Sequence, residues 1–313
     1  MPESELHAVT GAFGYSGRRI AERLLAAGVR VRTLTNSPNR PNPFGDRVEV
    51  RPLSFGDPAA LAESLKGVLV LHNTYWVRYP AAGALHDEAV ENTLALFSAA
   101  KAACVGRIVH VSITNPSEDS DLPYFCGKAR LERALKESGL PHSILRPALL
   151  FGGEDILVNN IAWAIRRFPV LAIFGRGRYR MRPIHVDDLA TLAVKEGSET
   201  GNRTVDAVGP ETFEYREFVR LVARILGKRR LILSLPPTLA WLGTALIGRM
   251  VGDILITRDE MKGLMRGLLD VPGEPTGSIL LSDWASEHAA TLGLRYASEL
   301  ARRRNRSEAY ERL

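Results

Sequence analysis

The chain has 313 residues, of which 45% are hydrophobic and 24% charged, with 41 Lys and Arg against 35 Asp and Glu. This length allows about two domains with cores of their own, and the composition excludes extended disorder and fibrous repeats. Two cysteines are too few for a disulfide framework, no Cys or His spacing predicts a metal site, and no basic stripe with interleaved aromatics predicts a nucleic-acid partner.

The two ends of the chain differ in charge. Residues 1–5 are acidic and lead directly into an apolar strand pattern, unlike a basic and apolar secretory signal. Together with the low cysteine content, this pattern predicts a cytoplasmic protein. Residues 301–306 contain four Arg and are interpreted as a solvated helix end.

Short apolar runs alternate with amphipathic segments through the N-terminal half. The predicted strands are residues 6–10, 29–35, 48–53, 68–72, 107–113 and 142–145, and the predicted helices are residues 17–27, 58–66, 86–103 and 123–138. Strands and helices in this alternation form right-handed crossovers, which place parallel strands in one sheet with helices on both faces. The predicted fold class is therefore α/β with a doubly wound parallel sheet.

Beyond Pro147 the alternation is less regular, although residues 184–195 and 215–226 are predicted helices. We predict a first domain of residues 1–150, to which segments near 180–210 return, and a smaller C-terminal substrate lobe of residues 151–313. Because no Ser/Gly-rich linker separates the halves, the two lobes are expected to pack as one unit.

The longest uncharged run, residues 231–248, approaches the length of a membrane span but contains Pro236 and Pro237. A span is therefore not predicted, and an apolar helix from about Thr238 onward is. We interpret this helix as a lid or core helix, with peripheral contact to a membrane as the alternative.

Gly11, Gly14 and Gly17 lie between the first predicted strand and the first predicted helix. Glycine permits a tight turn and lets backbone N–H groups approach an anion at the positive end of a helix. The spacing alone is a weak signal, but a strand before it and a helix after it predict the pyrophosphate site of a Rossmann-type fold. The alternative is a tight turn that binds no ligand.

Tyr124 and Lys128 lie near the start of the helix predicted at residues 123–138, and their spacing places phenol and ammonium on one helix face. A neighbouring cation favours the phenolate and lowers the pKa of the tyrosine toward the range of an acid/base catalyst. Ser112 ends the preceding strand, so its hydroxyl could polarise a substrate carbonyl. Thr114 is a close alternative for this role.

These motifs resemble the short-chain dehydrogenase/reductase superfamily in its extended or atypical branch. Further marks are Arg146 and Pro147 with Gly152, and the Pro-Ile-His-Val-Asp-Asp-Leu-Ala segment at residues 183–190. The chain is similar in particular to NAD(P)-binding relatives of the accessory subunit of respiratory complex I and to NAD-dependent epimerases and dehydratases of nucleotide sugars.

The resemblance implies an oxidoreductase that transfers a hydride between NADP(H) and a carbonyl or alcohol, with Tyr124 as the acid/base. It also implies that Lys128 binds the nicotinamide ribose and that Ser112 orients the substrate. The remaining implied cofactor contacts are Gly11, Phe13, Gly14 and Gly17 at the turn, Asp57 at the adenine, Asn73 in the loop after the fourth strand, and Pro147 beside the nicotinamide.

The segment after the second strand bears on the choice of cofactor. Members of the family that prefer NAD place an acidic residue there, whereas this chain has Asn36, Ser37 and Arg40, which could bind a 2′-phosphate. NADP is therefore predicted. NAD stays as the alternative, because Arg40 could point into solvent and because Phe13 stands where an extra basic residue would favour NADP.

Two other functions remain open on these residues. One is a non-catalytic NADPH-binding protein with a structural or redox-sensing role, and the other is an epimerase or dehydratase that retains NAD(P). Twelve positions from Ser112 to Tyr124 are fewer than nucleotide-sugar enzymes usually have, which disfavours sugar chemistry. The apolar residues 231–256 favour a hydrophobic small-molecule substrate, although core packing would explain them equally. The oligomeric state is not predicted.

Overall fold

The computed structural model describes residues 5–80 and 85–312. Its strands are β1 (Leu6–Thr10), β2 (Arg30–Thr35), β3 (Val48–Pro52), β4 (Val70–Asn73), β5 (Arg107–Val111), β6 (His142–Pro147), β7 (Leu149–Phe151), β8 (Val170–Phe174), β9 (Arg180–Met181), β10 (Pro183–His185), β11 (Arg203–Ala207), β12 (Phe213–Glu214) and β13 (Leu231–Leu235). Its helices are α1 (Tyr15–Ala26), α2 (Pro58–Ser64), α3 (His86–Ala102), α4 (Pro123–Glu137), α5 (Leu157–Arg167), α6 (Val186–Gly197), α7 (Tyr215–Ile225), α8 (Pro237–Val251), α9 (Arg258–Met265), α10 (Leu281–Glu287) and α11 (Glu299–Arg304), with single 3₁₀ turns at Gly45–Arg47 and Tyr310–Arg312.

In the described part of the chain, the central sheet has seven strands in the order β11-β6-β5-β4-β1-β2-β3. The pairs from β6 through β3 are all parallel, and β1 is buried at every position. This arrangement confirms the predicted α/β class and its Rossmann-type sheet. The strand order reverses between β1 and β4, and ligands of such sheets bind beyond the carboxyl ends of the strands at that point.

The chain divides into two compact units. Unit 1 contains the residues through Pro147 together with Asp187–Asp206 and Asn305–Arg312, and unit 2 contains Ala148–Val186 and Ala207–Arg304. Unit 1 has its core among the sheet, α2, α3 and α4, where Leu34, Leu71 and Ile108 are fully buried. Unit 2 has a second core around α5, α7 and α10.

Unit 2 departs from the predicted elements at two places. The helix predicted from residue 184 begins at Val186, because Pro183–His185 pairs with β7 as a short parallel strand. The basic segment at residues 301–306 is not a fully solvated helix end, because Arg302 is buried and donates to the carbonyl oxygen of Glu154 at 2.9 Å.

The apolar run at residues 231–248 folds as β13 followed by α8. Pro236 precedes the helix and Pro237 is its first residue, a position that tolerates proline because no intrahelical bond from its nitrogen is needed there. Within the described residues, no helix combines the length and the apolar character that a bilayer-crossing segment requires.

Candidate functional site

The turn between β1 and α1 is built from backbone groups. Gly11 has a φ of +70°, its N–H donates to the carbonyl oxygen of Leu34 at 2.9 Å, and the N–H of Gly14 donates to the carbonyl oxygen of Gly11 at 2.9 Å. Gly14 precedes α1 without a side-chain cap, and the first turn of the helix contains no acidic residue. The N-terminal amide groups of α1 and its dipole therefore favour an anion at this turn.

The three glycines of the turn have different steric roles. Gly11 adopts a left-handed conformation that other residues rarely adopt. A Cβ atom at Gly17 would lie 2.5 Å from the carbonyl oxygen of Gly11, whereas one at Gly14 would lie 3.3 Å from it. Gly17 therefore allows α1 to pack against the turn. The resulting backbone turn fits the pyrophosphate of a dinucleotide.

Beside this turn, Thr10 joins the carboxyl ends of β1 and β4. Its hydroxyl donates to Asn73 Oδ1 at 3.1 Å and accepts from the N–H groups of Thr74 and Tyr75 at 2.7 and 3.1 Å. These bonds hold the loop after β4 at the point where the strand order reverses. Asn73, predicted to meet the cofactor, is fully buried, so its side chain positions this loop.

Asn73 also determines which ring nitrogen of His110 carries the proton. The N–H of Tyr75 donates to Asn73 Oδ1 at 3.0 Å, so the amide nitrogen Nδ2 is the atom that faces His110 Nδ1 at 3.0 Å. His110 Nδ1 is therefore an acceptor, and the proton of the neutral ring is on Nε2. Burial, reinforced by the positive charge of Lys128, holds the pKa of His110 well below its usual value.

The loop after β2 and the cap of α2 contain the other predicted contacts to the adenosine half of the cofactor. Asn36 is exposed, and Ser37 donates to its Oδ1 at 3.4 Å. Asp57 is the N-cap of α2 and accepts from the N–H of Ala60 at 3.0 Å, so it stabilises the helix whatever else it binds. Phe13, at the glycine turn, is buried.

Arg40 does not point into solvent. It is only 8% exposed, because the C-terminal segment of unit 1 covers it. Its Nη2 donates to the carbonyl oxygen of Asn305 at 3.5 Å, and its guanidinium lies 5.6 Å from the centre of the Tyr310 ring. Burial raises the pKa of Tyr75, and the positive charge of Arg306 is among the effects that oppose this. The segment thus approaches the loops after both β2 and β4.

Lys128 is only 2% exposed. Its ammonium donates to the carbonyl oxygen of Val111 at 2.7 Å and lies 4.3 Å above the centre of the Trp76 ring. Burial lowers the pKa of Lys128 to about 7, and the carboxylate of Glu132 opposes this shift. A buried lysine with such a pKa is typical of functional sites, although structural groups also show it.

Tyr124 reaches the same indole from one helical turn earlier. The two rings meet edge to face with centroids 5.4 Å apart, and His86 adds a second edge contact to Tyr124 at 5.7 Å. Gly127 makes room for the indole, since a Cβ atom there would lie 3.0 Å from Trp76. The indole Nε1 is buried and has no hydrogen-bond partner among the described residues, which fits a place beside a polar ligand.

The hydroxyl of Ser112 is used elsewhere. It donates its single proton to Glu132 Oε1 at 2.6 Å, and Arg146 Nε donates to the same oxygen at 2.9 Å. A substrate carbonyl would have to compete with a carboxylate for this proton. Thr114, two residues further along the chain, is also buried, and its N–H donates to the carbonyl oxygen of Pro147 at 3.1 Å. Thr114 and Pro147 therefore lie side by side where β5 and β6 end.

Three residues of the site were not predicted from the sequence, namely Trp76, His110 and Glu132. Glu132 had a detectable signal, because it lies four residues after Lys128 on the same helix face. Trp76 lies in the loop after β4, three residues beyond Asn73, and such loops face ligands in this kind of sheet. His110 had no signal, since a histidine within an apolar strand is ordinarily a core residue.

Comparison with known proteins identifies the family. Residues 11–160 match a family model described as NAD(P)H-binding. The (4-alkanoyl-5-oxo-2,5-dihydrofuran-3-yl)methyl phosphate reductase of Streptomyces griseus subsp. griseus is 30% identical over 296 residues, which are 90% of this chain and 97% of that protein. The chain belongs to the extended or atypical short-chain dehydrogenase/reductases. The predicted family is confirmed, and the protein is a member that binds NAD(P)H.

Two other similar proteins have names that describe different functions. The NADH dehydrogenase [ubiquinone] 1 alpha subcomplex subunit 9 of Arabidopsis thaliana, a mitochondrial protein, is 26% identical over 242 residues, which are 73% of this chain and 60% of that protein. The chain thus spans less than two thirds of that relative. The triphenylmethane reductase of Citrobacter sp., solved with NADP(H), has 20% identity and a TM-score of 0.75 over 90% of this chain and 99% of that one. At this identity the likeness shows the fold.

Proposed function

We propose that the protein is an NADPH-dependent oxidoreductase that interconverts a carbonyl and an alcohol, with Tyr124 as the acid/base. The observation that carries the proposal is the shared contact of Tyr124 and Lys128 with Trp76, which brings a phenol and a fully buried ammonium to one indole. A reductase is also among the relatives that cover almost the whole chain.

NADPH, when bound at the glycine turn, supplies the hydride. In the direction of reduction, the hydroxyl of Tyr124 donates its proton to the oxygen of the substrate carbonyl, which becomes the alcohol. Solvent then returns a proton to the phenolate of Tyr124. The ammonium of Lys128 stabilises this phenolate by its charge, and its protons can also bind a ribose hydroxyl because only Val111 accepts from it among the described residues.

A second hydroxyl orients the substrate. We assign this role to Thr114, because it lies beside Pro147 where the strands end, whereas Ser112 donates its proton to Glu132. Ser112, Glu132 and Arg146 then act as positioning residues that hold α4 against β5 and β6. Pro147, next to Thr114 at the end of β6, is the neighbour we assign to the nicotinamide.

The preference for NADPH over NADH rests on the loop after β2. No carboxylate is present there to repel a 2′-phosphate, and Arg40 can donate charge-assisted hydrogen bonds to one alongside Asn36 and Ser37. The other members of the cofactor set in this proposal are Gly11, Phe13, Gly14, Gly17 and Asp57, and Asn73 acts indirectly by positioning the loop after β4.

The variant Tyr124→Phe tests the proposal. It removes one hydroxyl and preserves the ring contacts with Trp76, so turnover on a carbonyl substrate found by screening should fall by on the order of 10² to 10⁴ while NADPH affinity stays unchanged. Tyr296→Phe is the matched control, because its hydroxyl binds Asp253 in unit 2. Full turnover in Tyr124→Phe would show that another group transfers the proton.

One observation favours a non-catalytic role. The indole of Trp76 contacts both Tyr124 and Lys128 and so takes up space beside the phenol. A wild-type protein that binds NADPH tightly and oxidises it with no carbonyl or quinone would be a structural or redox-sensing nucleotide-binding protein. An epimerase or dehydratase would instead convert its substrate with no net consumption of NAD(P)H.

A further inference from the structure

Helix α8 of unit 2 directs four large apolar side chains away from the protein. Leu239, Leu242, Leu246 and Met250 follow one another at intervals of three or four residues and therefore share one helix face. All four are exposed, Leu246 by 64% and Met250 by 76%. Surface helices normally turn their apolar stripe toward the core, so the arrangement in α8 is inverted.

The opposite face of α8 packs against the rest of unit 2 through Ala240, Trp241 and Gly248. Ala240 is buried in a cluster with Phe174 and Met261. A Cβ atom at Gly248 would lie 2.6 Å from the carbonyl oxygen of Asp253. Because the small residues bring α8 close to the rest of unit 2, the exposed leucines belong to a helix that is already packed on its other side.

The two-stranded sheet of β8 and β13 in the same unit also exposes apolar side chains. Val170 pairs with Leu231 in parallel register, and Leu233 lies on the same face of β13 because side chains alternate along a strand. All three are exposed. Leu235 continues this face and packs in the cluster beneath α8.

We call Val170, Leu231, Leu233 and the four exposed residues of α8 the apolar surface of unit 2. These seven residues are a majority of the large hydrophobic side chains that are exposed in the described part of the chain. Such a concentration on one unit marks an interaction site rather than ordinary surface scatter.

The charges in the segment that forms β13 and α8 have one sign. Residues 226–252 contain Lys228, Arg229, Arg230 and Arg249 and neither Asp nor Glu. Lys228 and Arg229 are exposed just before β13, and Arg249 is exposed beside Met250 at the end of α8. An occupant of this surface must therefore combine apolar groups with negative charge.

We propose that the apolar surface of unit 2 docks onto an anionic lipid bilayer, with α8 lying in the headgroup region. Its 15 residues are fewer than the about 20 that span a bilayer, and a leucine stripe flanked by Lys and Arg is typical of interfacial helices. A second copy of the chain fits less well, because a two-fold contact would bring the same basic residues face to face.

The test is cosedimentation of the full chain with large unilamellar vesicles. Vesicles of phosphatidylcholine with roughly one third phosphatidylserine should bind the protein, binding should weaken with salt, and phosphatidylcholine alone should bind it less. Leu242→Gln with Leu246→Gln should lower the partition coefficient by on the order of tenfold per leucine. Arg249→Gln should lower it by about fivefold.

Leu294→Gln is the matched control, because Leu294 is exposed in unit 2 but lies outside the apolar surface. It should bind vesicles like the wild type. The proposal is overturned if the wild type does not bind anionic vesicles at millimolar lipid. It is also overturned if the double leucine variant binds as well as the wild type. A dimer in light scattering that the same variant dissociates would also overturn it and assign the surface to a second copy. Circular dichroism and NADPH binding, which do not depend on this surface, report that the variants are folded.

Discussion

The glycine turn after β1 and the helix after β5 serve the same proposed reaction but are built from different groups. The turn consists of backbone, in which Gly11 adopts a positive φ and the missing Cβ atoms of Gly14 and Gly17 let α1 pack against the turn. The site on α4 consists of side chains that come from several segments, such as Trp76 and Arg146. A backbone site can therefore be predicted from residue spacing, whereas a side-chain site depends on packing between distant segments.

The largest expected effect tests the backbone half of this comparison. Gly17→Val should abolish measurable NADPH binding, a loss of at least about 100-fold, because its Cβ atom would overlap the carbonyl oxygen of Gly11 and displace α1 from the turn. Isothermal titration calorimetry measures the affinity, and circular dichroism reports the fold.

Gly14→Ala is the graded control for that variant. Its contact of 3.3 Å with Gly11 is tight but can relax, so we expect a loss of about tenfold or less. Wild-type affinity in a folded Gly17→Val protein would mean that the turn is not the nucleotide site.

The side-chain half is tested by separating the two candidate hydroxyls. Thr114→Val keeps the shape of the side chain and removes the hydroxyl, so kcat should fall by about 100-fold if Thr114 polarises the carbonyl. Ser112→Ala should leave kcat within a few-fold and lower the free energy of unfolding by about 1–2 kcal/mol, because Glu132 loses one donor. The reverse pattern would restore Ser112 to the role implied by the family resemblance.

A smaller effect is expected where backbone and side chains combine, in the loop after β2. Arg40→Ala should weaken NADPH binding by about tenfold and leave NADH binding nearly unchanged, since one charge-assisted hydrogen bond to the 2′-phosphate is lost. Arg51→Ala is the control, because Arg51 pairs with Glu49 on the exposed side of β3. Equal losses for both cofactors would indicate that Arg40 supports the fold through its contact with Tyr310.

The smallest effect concerns the stability contribution of Lys128. Its pKa is lowered from 10.5 to about 7 in the folded protein, so the unfolded chain binds more protons between these values and stability rises with pH across that window. Lys128→Met lacks this rise. Relative to the wild type, the variant should therefore be more stable at about pH 6 than at about pH 9, by a few degrees of Tm. Parallel pH curves for the two proteins would show that the ammonium is not desolvated.

Much of unit 1 was predictable, since strands buried on both faces and helices with one apolar face leave strong patterns, as in β1 and α1. The partners of the site residues were not. Whether Ser112 faces a substrate or Glu132 depends on how α4 packs on β5, which no local pattern encodes. In unit 2, short strands such as β10 have too few residues to show an alternation of apolar and polar side chains. Arg302 was predicted to be solvated because it lies in a run of arginines, but it is buried by residues distant in the sequence.

The same limit applies to α8. Its composition indicated an apolar helix, but the direction of the apolar face depends on which residues pack inward. Ala240 and Gly248 are weak hydrophobic signals and yet lie on the packed face with Trp241, because small side chains permit a close approach. A pattern that weighs hydrophobicity alone therefore assigns Leu246 to the core.

The contact of Arg40 with Asn305 joins positions 265 apart in the chain, both within unit 1. Closing so long a loop costs conformational entropy before the contact returns any energy, so we expect the contact to form late in folding. Unit 1 can thus complete its parallel sheet while the loop after β2 is still uncovered. Until the intervening chain has folded, Arg40 is accessible to polyanions. A nucleotide present during that interval can then bind near Arg40 before Asn305 and Tyr310 cover it.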